Sequence, residues 1–269
     1  MPSVRDPVSR KASRTRRFRR LARSGFAVNG LIHFLIGGIA IGLAFGDSEI
    51  GEADQSGALT QITNSPIGIV AIWAATAGLI ALGLWQLTRA GSPPDVTLFQ
   101  KSGRRISETA KGLVYLGLGG TALVFALGGS VSSSRTINVL AVRLLETPLG
   151  GWILVVAGLS VFGSGIGFVS IGIRRSFRKL IRVPAGKRGR AVVILGLSGY
   201  IAKGVVLMAV GVVLVIAPVT SDASRVSGLD GALRVVGELP LGPVWLVLIG
   251  VGLIQYGLFL VARAKLARL

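Results

Sequence analysis

Residues 199–218 read GYIAKGVVLMAVGVVLVIAP, a stretch of 20 residues in which Lys203 is the one charged side chain. A helix needs about 20 mainly apolar residues to cross the hydrocarbon core of a bilayer. We therefore expect this stretch to span a membrane. Two of its glycines, Gly204 and Gly211, are seven residues apart, which places them on one face of the helix.

The whole chain shares this apolar character. Of its 269 residues, 51% are apolar and 15% are charged, and the mean hydropathy is +0.70. A soluble domain carries roughly a quarter charged residues. The apolar residues lie in six blocks, which exclude a soluble enzyme, a disordered chain and a fibrous repeat. We expect an all-α fold, a polytopic membrane protein with six transmembrane helices at about 25–45, 66–88, 107–128, 148–173, 192–217 and 240–262.

The basic residues indicate how the chain is oriented. Of the 30 lysines and arginines, 25 lie in the N-terminal arm, the linkers after the second and fourth spans, and the C-terminus, so that this side carries a net charge of about +22. The opposite loops carry about −4. Because lysine and arginine concentrate in cytoplasmic loops, we expect a multi-pass protein of the plasma membrane with both termini in the cytoplasm.

The glycine pattern of residues 199–218 occurs three times in the chain. A glycine opens the first span of each repeat, and a proline follows 36 residues later. The three pairs are Gly30 and Pro66, Gly112 and Pro148, and Gly204 and Pro240. Each repeat contains two spans, so all three copies have the same orientation. The sequence therefore predicts three parallel helical-hairpin repeats.

These repeats divide the chain into six segments. A basic cytoplasmic arm covers residues 1–23, and repeat 1 covers residues 24–90. A cytoplasmic linker at 91–106 leads to repeat 2 at 107–173. A second, basic linker at 174–191 leads to repeat 3 at 192–269, which includes a short basic C-terminus.

Nine glycines recur at equivalent positions of the repeats. Lipid tails are as apolar as leucine, so membrane helices associate by close packing at small residues. We expect these nine to mark helix contacts: Gly30, Gly37, Gly83, Gly112, Gly119, Gly165, Gly204, Gly211 and Gly257. The motifs Gly38-x-x-x-Gly42 and Gly163-x-x-x-Gly167 are expected to pack in the same way.

Short motifs relate the three repeats to a known family. Residues 22–30 open with Ala-Arg-Ser-Gly, residues 199–204 read GYIAKG, and residues 231–242 contain Gly-Ala-Leu and Pro-Leu-Gly. This pattern resembles an actinobacterial membrane protein family of unknown function, domain of unknown function number 1206, over about residues 20–265. The second repeat departs from it, with Glu108 in place of the aromatic residue at Phe26 and Tyr200. The resemblance implies six spans in a cell membrane and no assigned activity.

Six polar residues within the spans or at their ends are candidate functional positions, because polar residues inside a membrane are costly. They are Asn29, His33, Glu108, Lys111, Tyr115 and Lys203. The two lysines either snorkel to lipid phosphates or line a cavity for an anion. Glu108 and Lys111 are spaced as a structural ion pair. His33 is the one histidine, so we expect a helix-packing hydrogen bond rather than proton relay or haem ligation.

Two basic segments with interleaved apolar residues are candidate lipid contacts. Such segments lie on anionic membrane surfaces, where each basic residue contributes about 1 kcal/mol. Membrane orientation alone also accounts for their charge. The candidate residues are Arg16, Arg17, Arg19, Arg20, Arg174, Arg175, Arg178 and Lys179.

Motifs for catalysis are absent from the sequence. It contains no Walker A loop, no HExxH and no nucleophile elbow, and it has no cysteine. We therefore expect no catalytic, cofactor-binding or metal site, and no nucleic-acid partner. The favoured function is a non-enzymatic scaffold, or a membrane protein that binds anionic lipids or a membrane protein partner. The alternative is a small-solute or ion transporter with a polar cavity at the repeat interface, and a membrane enzyme ranks third.

Overall fold

The structure is a computed structural model that describes residues 7–46, 51–63, 66–91, 98–220 and 226–267. These residues are almost entirely helical. In chain order the helices are α1 (Pro7–Ala44), α2 (Gln55–Thr63), α3 (Pro66–Gly91), α4 (Leu98–Ala126), α5 (Ser133–Leu145), α6 (Gly150–Ile173), α7 (Gly186–Thr220), α8 (Gly228–Gly237) and α9 (Gly242–Leu266). A short 3₁₀ helix, Ser176–Leu180, lies between α6 and α7.

Six of the described helices are long and apolar enough to cross a membrane: α1, α3, α4, α6, α7 and α9. This confirms the prediction of six spans and an all-α fold. Large apolar side chains are exposed on these helices, among them Val156 and Leu159 on α6. In a bilayer such side chains contact lipid tails, so their exposure is consistent with a membrane protein.

The chain forms two compact units. The first comprises Met1–Gln55 and Ser133–Leu269, and the second comprises Ser56–Ser132. In the first unit α1 packs against α9, α6 packs against α7, and α7 also contacts α9. In the second unit α3 packs against α4.

Two glycines on each helix form the contact between α1 and α9. A Cβ on Gly30 would lie 2.7 Å from the carbonyl oxygen of Gly257, and a Cβ on Gly37 would lie 2.5 Å from that of Gly250. Moving seven residues forward along α1 therefore moves seven residues backward along α9, so the helices are antiparallel. The backbones touch so closely that no larger residue fits without displacement.

The pair α6 and α7 repeats this arrangement. A Cβ on Gly165 would lie 2.7 Å from the carbonyl oxygen of Gly204, and a Cβ on Gly158 would lie 2.8 Å from that of Gly211. The four glycines are the repeat equivalents of the four between α1 and α9. The two repeat-equivalent helix pairs of the first unit thus have the same type of backbone-to-backbone contact.

The pair α3 and α4 in the second unit has the same contact with one change. Gly83 and Gly112 face each other, since a Cβ on Gly83 would lie 3.1 Å from the carbonyl oxygen of Gly112. Gly119 also packs closely against α3. A buried threonine, Thr76, stands on α3 where each of the other two pairs has a second glycine.

The order of these pairs is a property that the repeats alone did not reveal. Each pair joins the second spanning helix of one repeat to the first spanning helix of another: α3 with α4, α6 with α7, and α9 with α1. The last repeat therefore pairs with the first. All nine repeated glycines lie on helices of these three pairs, and each is closely packed.

The prediction that the GxxxG motifs pack against neighbouring helices is wrong for the three motif glycines whose surroundings are described. A Cβ on Gly38, Gly163 or Gly167 would meet no atom within 4 Å. Gly38 lies on the α1 surface one residue beyond the contact with α9. Helical rotation of about 100° per residue turns it away from the neighbouring helix.

Short helices α2, α5 and α8 connect the two spans of each repeat. In the first unit, buried carboxylates join α5, α8 and the segment before α2. The backbone N–H of Ala53 donates to Asp230 Oδ1 at 2.8 Å, and Ser134 Oγ donates to Asp54 Oδ2 at 3.1 Å. Arg234 Nε donates to the second oxygen of Asp230 at 2.8 Å. These bonds compensate for the burial of the two carboxylates.

The repeated prolines do not occupy one position in the three repeats. Pro66 is the first residue of α3, but Pro148 and Pro240 lie in turns before α6 and α9. In these turns Gly150 N–H donates to Thr147 at 3.1 Å, and Gly242 N–H donates to Leu239 at 2.8 Å. Proline suits the second position of such a turn because its φ is already fixed.

Candidate functional site

The connection between α6 and α7 concentrates basic side chains at one end of the first unit. Helix α6 ends at Ile173, and the chain turns at Arg175, which has a left-handed φ of 51°. The N–H of Arg175 donates to the carbonyl of Gly172 at 3.0 Å. A left-handed conformation costs a residue with a Cβ about 1–2 kcal/mol. The chain therefore has an arginine at position 175, where a glycine would be less strained.

Two apolar residues hold this connection against the helices. Phe177 and Ile181 are almost fully buried, at 1% and 0% exposure. Gly196 on α7 leaves room for the Phe177 ring, because a Cβ there would lie 2.5 Å from the ring. The N–H of Arg182 donates to the carbonyl of Leu266 at 2.8 Å. The connection is thus fixed to α7 and to the end of α9, and its basic side chains project from a supported backbone.

An open groove of about 430 Å³ lies beside this connection, and we call it groove A. Three arginines are among the residues that line it: Arg175, Arg178 and Arg190. It also has an apolar wall on α7, formed by residues that include Val193, Ile194 and Leu197. None of the described residues that line groove A is acidic. Groove A therefore combines positive charge with an apolar surface that continues along a membrane-spanning helix.

A second open groove of about 580 Å³, groove B, shares Arg175 and Arg178 with groove A. It has two further cations of its own, Arg174 and Lys179. Ile171, near the end of α6, supplies an apolar surface. The described residues that line groove B likewise include no carboxylate. Volumes of this order are typical of small-molecule sites.

Deeper in the first unit, Lys203 lies among aromatic rings. Its Nζ is 4.9 Å from the centroid of the Phe168 ring and 4.7 Å from that of the Tyr256 ring. Within the described part of the chain, no carboxylate forms an ion pair with it. Cation–π contacts, worth about 0.5–2 kcal/mol each, account for the tolerance of this charge. Neither groove is lined by Lys203.

An aromatic cluster separates Lys203 from the basic connection. Tyr200 stacks on Phe177 with ring centroids 5.4 Å apart, and it meets the edge of Tyr256 at 5.2 Å. Phe259 contacts Phe177 at 5.2 Å. Together with Ile181 and Leu260 these rings form a buried apolar core at the basic end of the unit.

The remaining polar candidates fall into different parts of the structure. His33 Nδ1 donates to the backbone oxygen of Asn29 at 2.8 Å, since a carbonyl can only accept. Its ring meets the edge of Tyr256 at 4.9 Å, so His33 and Lys203 share one aromatic neighbour. In the second unit Glu108 is buried and Tyr115 is half-buried.

Five predicted site residues have side chains outside the described part of the structure: Arg16, Arg17, Arg19, Arg20 and Lys111. The predicted pair of Glu108 and Lys111 therefore stays a prediction. Among the described residues, no group of three or more His, Cys, Asp or Glu side chains is placed to hold a metal ion.

Sequence reasoning missed several residues of this region. Arg190 belongs to the basic linker but is not among the lipid contacts that the sequence predicts. Tyr256 and Phe168 have no matching aromatic residues in the other repeats, so the repeat pattern does not single them out; Leu82 and Ser164 are the equivalents of Tyr256. Phe177 carried a signal, because its spacing with Leu180 and Ile181 is helical. What the sequence did not reveal is that Phe177 and Ile181 are buried against the helices while Leu180 stays exposed.

Comparison with known proteins agrees with the repeat pattern. A family model described as Domain of Unknown Function (DUF1206) matches this chain three times, at residues 24–92, 107–175 and 198–267. A protein of Bacillus subtilis (strain 168), described as uncharacterized protein YxxB, is 27% identical over 253 residues, which are 91% of this chain and 90% of that protein. No solved structure matches. The three matches cover most of the chain, which therefore belongs to the DUF1206 family as a multi-pass membrane protein with three tandem repeats.

Proposed function

We propose that this protein is a non-enzymatic scaffold of the plasma membrane that binds anionic phospholipid at its basic end, with both termini in the cytoplasm. Groove A carries the proposal. It brings Arg175, Arg178 and Arg190 next to an apolar wall on α7. A phospholipid has the matching chemistry, because its phosphate accepts charge-assisted hydrogen bonds and its acyl chains pack on apolar helix surfaces.

The backbone at Arg175 supports a role in binding. Strained conformations persist where the surrounding structure enforces them, and they cluster at ligand sites. Arg175 adopts such a strained backbone conformation, and it lines both grooves. The buried side chains of Phe177 and Ile181 hold the backbone in place, so that the attachment points of the arginine side chains are fixed before a ligand arrives.

The transport alternative rests on the intramembrane lysines. Lys203 has two aromatic neighbours, and these contacts account for its position without a transported solute. Neither Asn29 nor Lys203 lines a groove, and the side chain of Lys111 lies outside the described part of the structure. The observations therefore favour the scaffold over the transporter.

The proposal is tested by lipid retention. The protein is purified in a mild detergent, mixed with phosphatidylglycerol and phosphatidylcholine, and analysed by native mass spectrometry. The variant Arg175→Gln with Arg178→Gln should retain at least about tenfold less phosphatidylglycerol, since each basic residue contributes about 1 kcal/mol. Phosphatidylcholine retention should change little.

A matched control removes the same charge from the same end of the unit. Lys187 and Arg188 are exposed at the start of α7 and line neither groove. The variant Lys187→Gln with Arg188→Gln should retain phosphatidylglycerol nearly as the parent does. Equal losses in both double variants would mean that diffuse charge attracts the lipid, and the groove would have no role. Unchanged melting temperatures in detergent show that each variant is folded.

A further inference from the structure

We propose that grooves A and B together bind one phospholipid whose head group carries two linked phosphodiesters, a lipid of the diphosphatidylglycerol class. This inference rests on the proposed function and specifies its ligand. The grooves meet at Arg175 and Arg178, which line both. A single head group placed over these two arginines therefore reaches into both grooves at once.

Each groove has cations for one phosphate and at least one apolar lining residue for an acyl chain. Groove A adds Arg190 to the shared pair, and groove B adds Arg174 and Lys179. A lipid with one phosphate pairs with the cations of one groove. The cations that line only the other groove are then left without an anion. A lipid with two phosphates pairs with both sets.

The apolar surfaces favour the same ligand. Groove A is walled by α7 residues such as Ile194, and groove B contacts Ile171 near the end of α6. Acyl chains that leave the head group in two directions can thus contact apolar side chains in both grooves. The two phosphatidyl groups of this lipid class have this geometry, because a central glycerol separates them.

The test compares lipids at equal charge. The full-length protein in mild detergent is titrated with diphosphatidylglycerol or with twice the molar amount of phosphatidylglycerol, and bound lipid is counted by native mass spectrometry. We expect at least about tenfold stronger retention of the lipid with two phosphates. Equal retention would overturn this inference and leave the proposed function intact, whereas retention of neither lipid would overturn both.

Single-groove variants test the bridging geometry. Arg190→Gln removes the cation that lines only groove A. Arg174→Gln with Lys179→Gln removes the two that line only groove B. Each variant should lose most of the preference for two phosphates and still retain phosphatidylglycerol, while Lys187→Gln should keep the preference. A preference that survives either groove variant would show that the head group does not bridge.

A deacylated head group separates a lipid site from a free phosphate site. Bis(glycerophospho)glycerol has both phosphodiesters and no acyl chains. It should displace diphosphatidylglycerol only at concentrations at least about tenfold higher than the intact lipid requires, because the apolar walls then contribute nothing. Displacement at equal concentration would show that the head group with its two phosphodiesters suffices for binding, and would overturn the lipid assignment.

Discussion

At the scale of single residues, glycine contacts determine how closely the spanning helices approach. A Cβ on Gly37 would lie 2.5 Å from the carbonyl oxygen of Gly250 and 2.9 Å from the nitrogen of Ile254. Both neighbours are backbone atoms, which cannot move aside as a flexible side chain does. The adjacent Gly38 has nothing within 4 Å of its Cβ position. Two neighbouring glycines on one helix thus differ sharply in their surroundings.

The substitution Gly37→Ala should destabilise the protein by about 1–3 kcal/mol, the usual cost of overpacking. Gly38→Ala should be neutral or slightly stabilising, since alanine is the better helix former. Thermal unfolding in detergent compares the two variants. If Gly37→Ala unfolds no earlier than Gly38→Ala, the contact between α1 and α9 is not as close as described.

A substitution at Arg175 should affect the stability of the fold and the binding of lipid in different ways. The substitution Arg175→Gly removes the strain of a left-handed residue, which costs about 1–2 kcal/mol, but adds the entropy of a glycine, about 0.5–1 kcal/mol. We therefore expect an unchanged or slightly higher melting temperature. Loss of the guanidinium should lower phosphatidylglycerol retention about fivefold, equivalent to about 1 kcal/mol.

The opposite pattern would contradict this account of Arg175. A lower melting temperature with normal lipid retention would mean that the side chain serves the fold. Arg175→Gln is the control, because it keeps a Cβ at the strained position and removes only the charge.

At the scale of helices, the sequence was enough to predict the spans but not their partners. The six apolar blocks and the repeated glycines follow from bilayer thickness and close packing, both visible as local patterns. Which helix faces Gly30 is a long-range question, and the repeat spacing is equally compatible with a partner inside the hairpin or in another repeat. The same limit explains Phe177, whose spacing indicated an apolar face without indicating what covers it.

The pairing of the first and last spanning helices can be tested by cross-linking. The rings of His33 on α1 and Tyr256 on α9 have centroids 4.9 Å apart. Since the native chain has no cysteine, His33→Cys with Tyr256→Cys gives one unique thiol pair. A short thiol-reactive cross-linker should join the two thiols, and proteolysis of the α6–α7 connection should leave the fragments linked.

The control for this experiment moves one thiol to another face of α9. Leu258 is exposed, two residues beyond Tyr256. His33→Cys with Leu258→Cys should cross-link much less. Equal cross-linking of both pairs, or cross-linking of neither, is the outcome that disagrees with the packing of α1 on α9.

At the scale of the whole molecule, charge asymmetry predicts the orientation in the membrane. Single cysteines test it, at exposed positions in loops that the sequence predicts on opposite sides of the membrane: Ser130→Cys and Ala185→Cys. A membrane-impermeant maleimide should label position 130 in intact cells and position 185 only after permeabilisation. Labelling of position 185 in intact cells would place the basic end outside and reverse the expected orientation.

The most direct measurement for the account as a whole is the structure of the protein in nanodiscs that contain diphosphatidylglycerol. We predict head-group density over the α6–α7 connection, with phosphate oxygens about 3 Å from the guanidinium groups of Arg175 and Arg178. Lipid density that outlines the spanning helices while grooves A and B hold only solvent, or hold part of the protein chain, would contradict it.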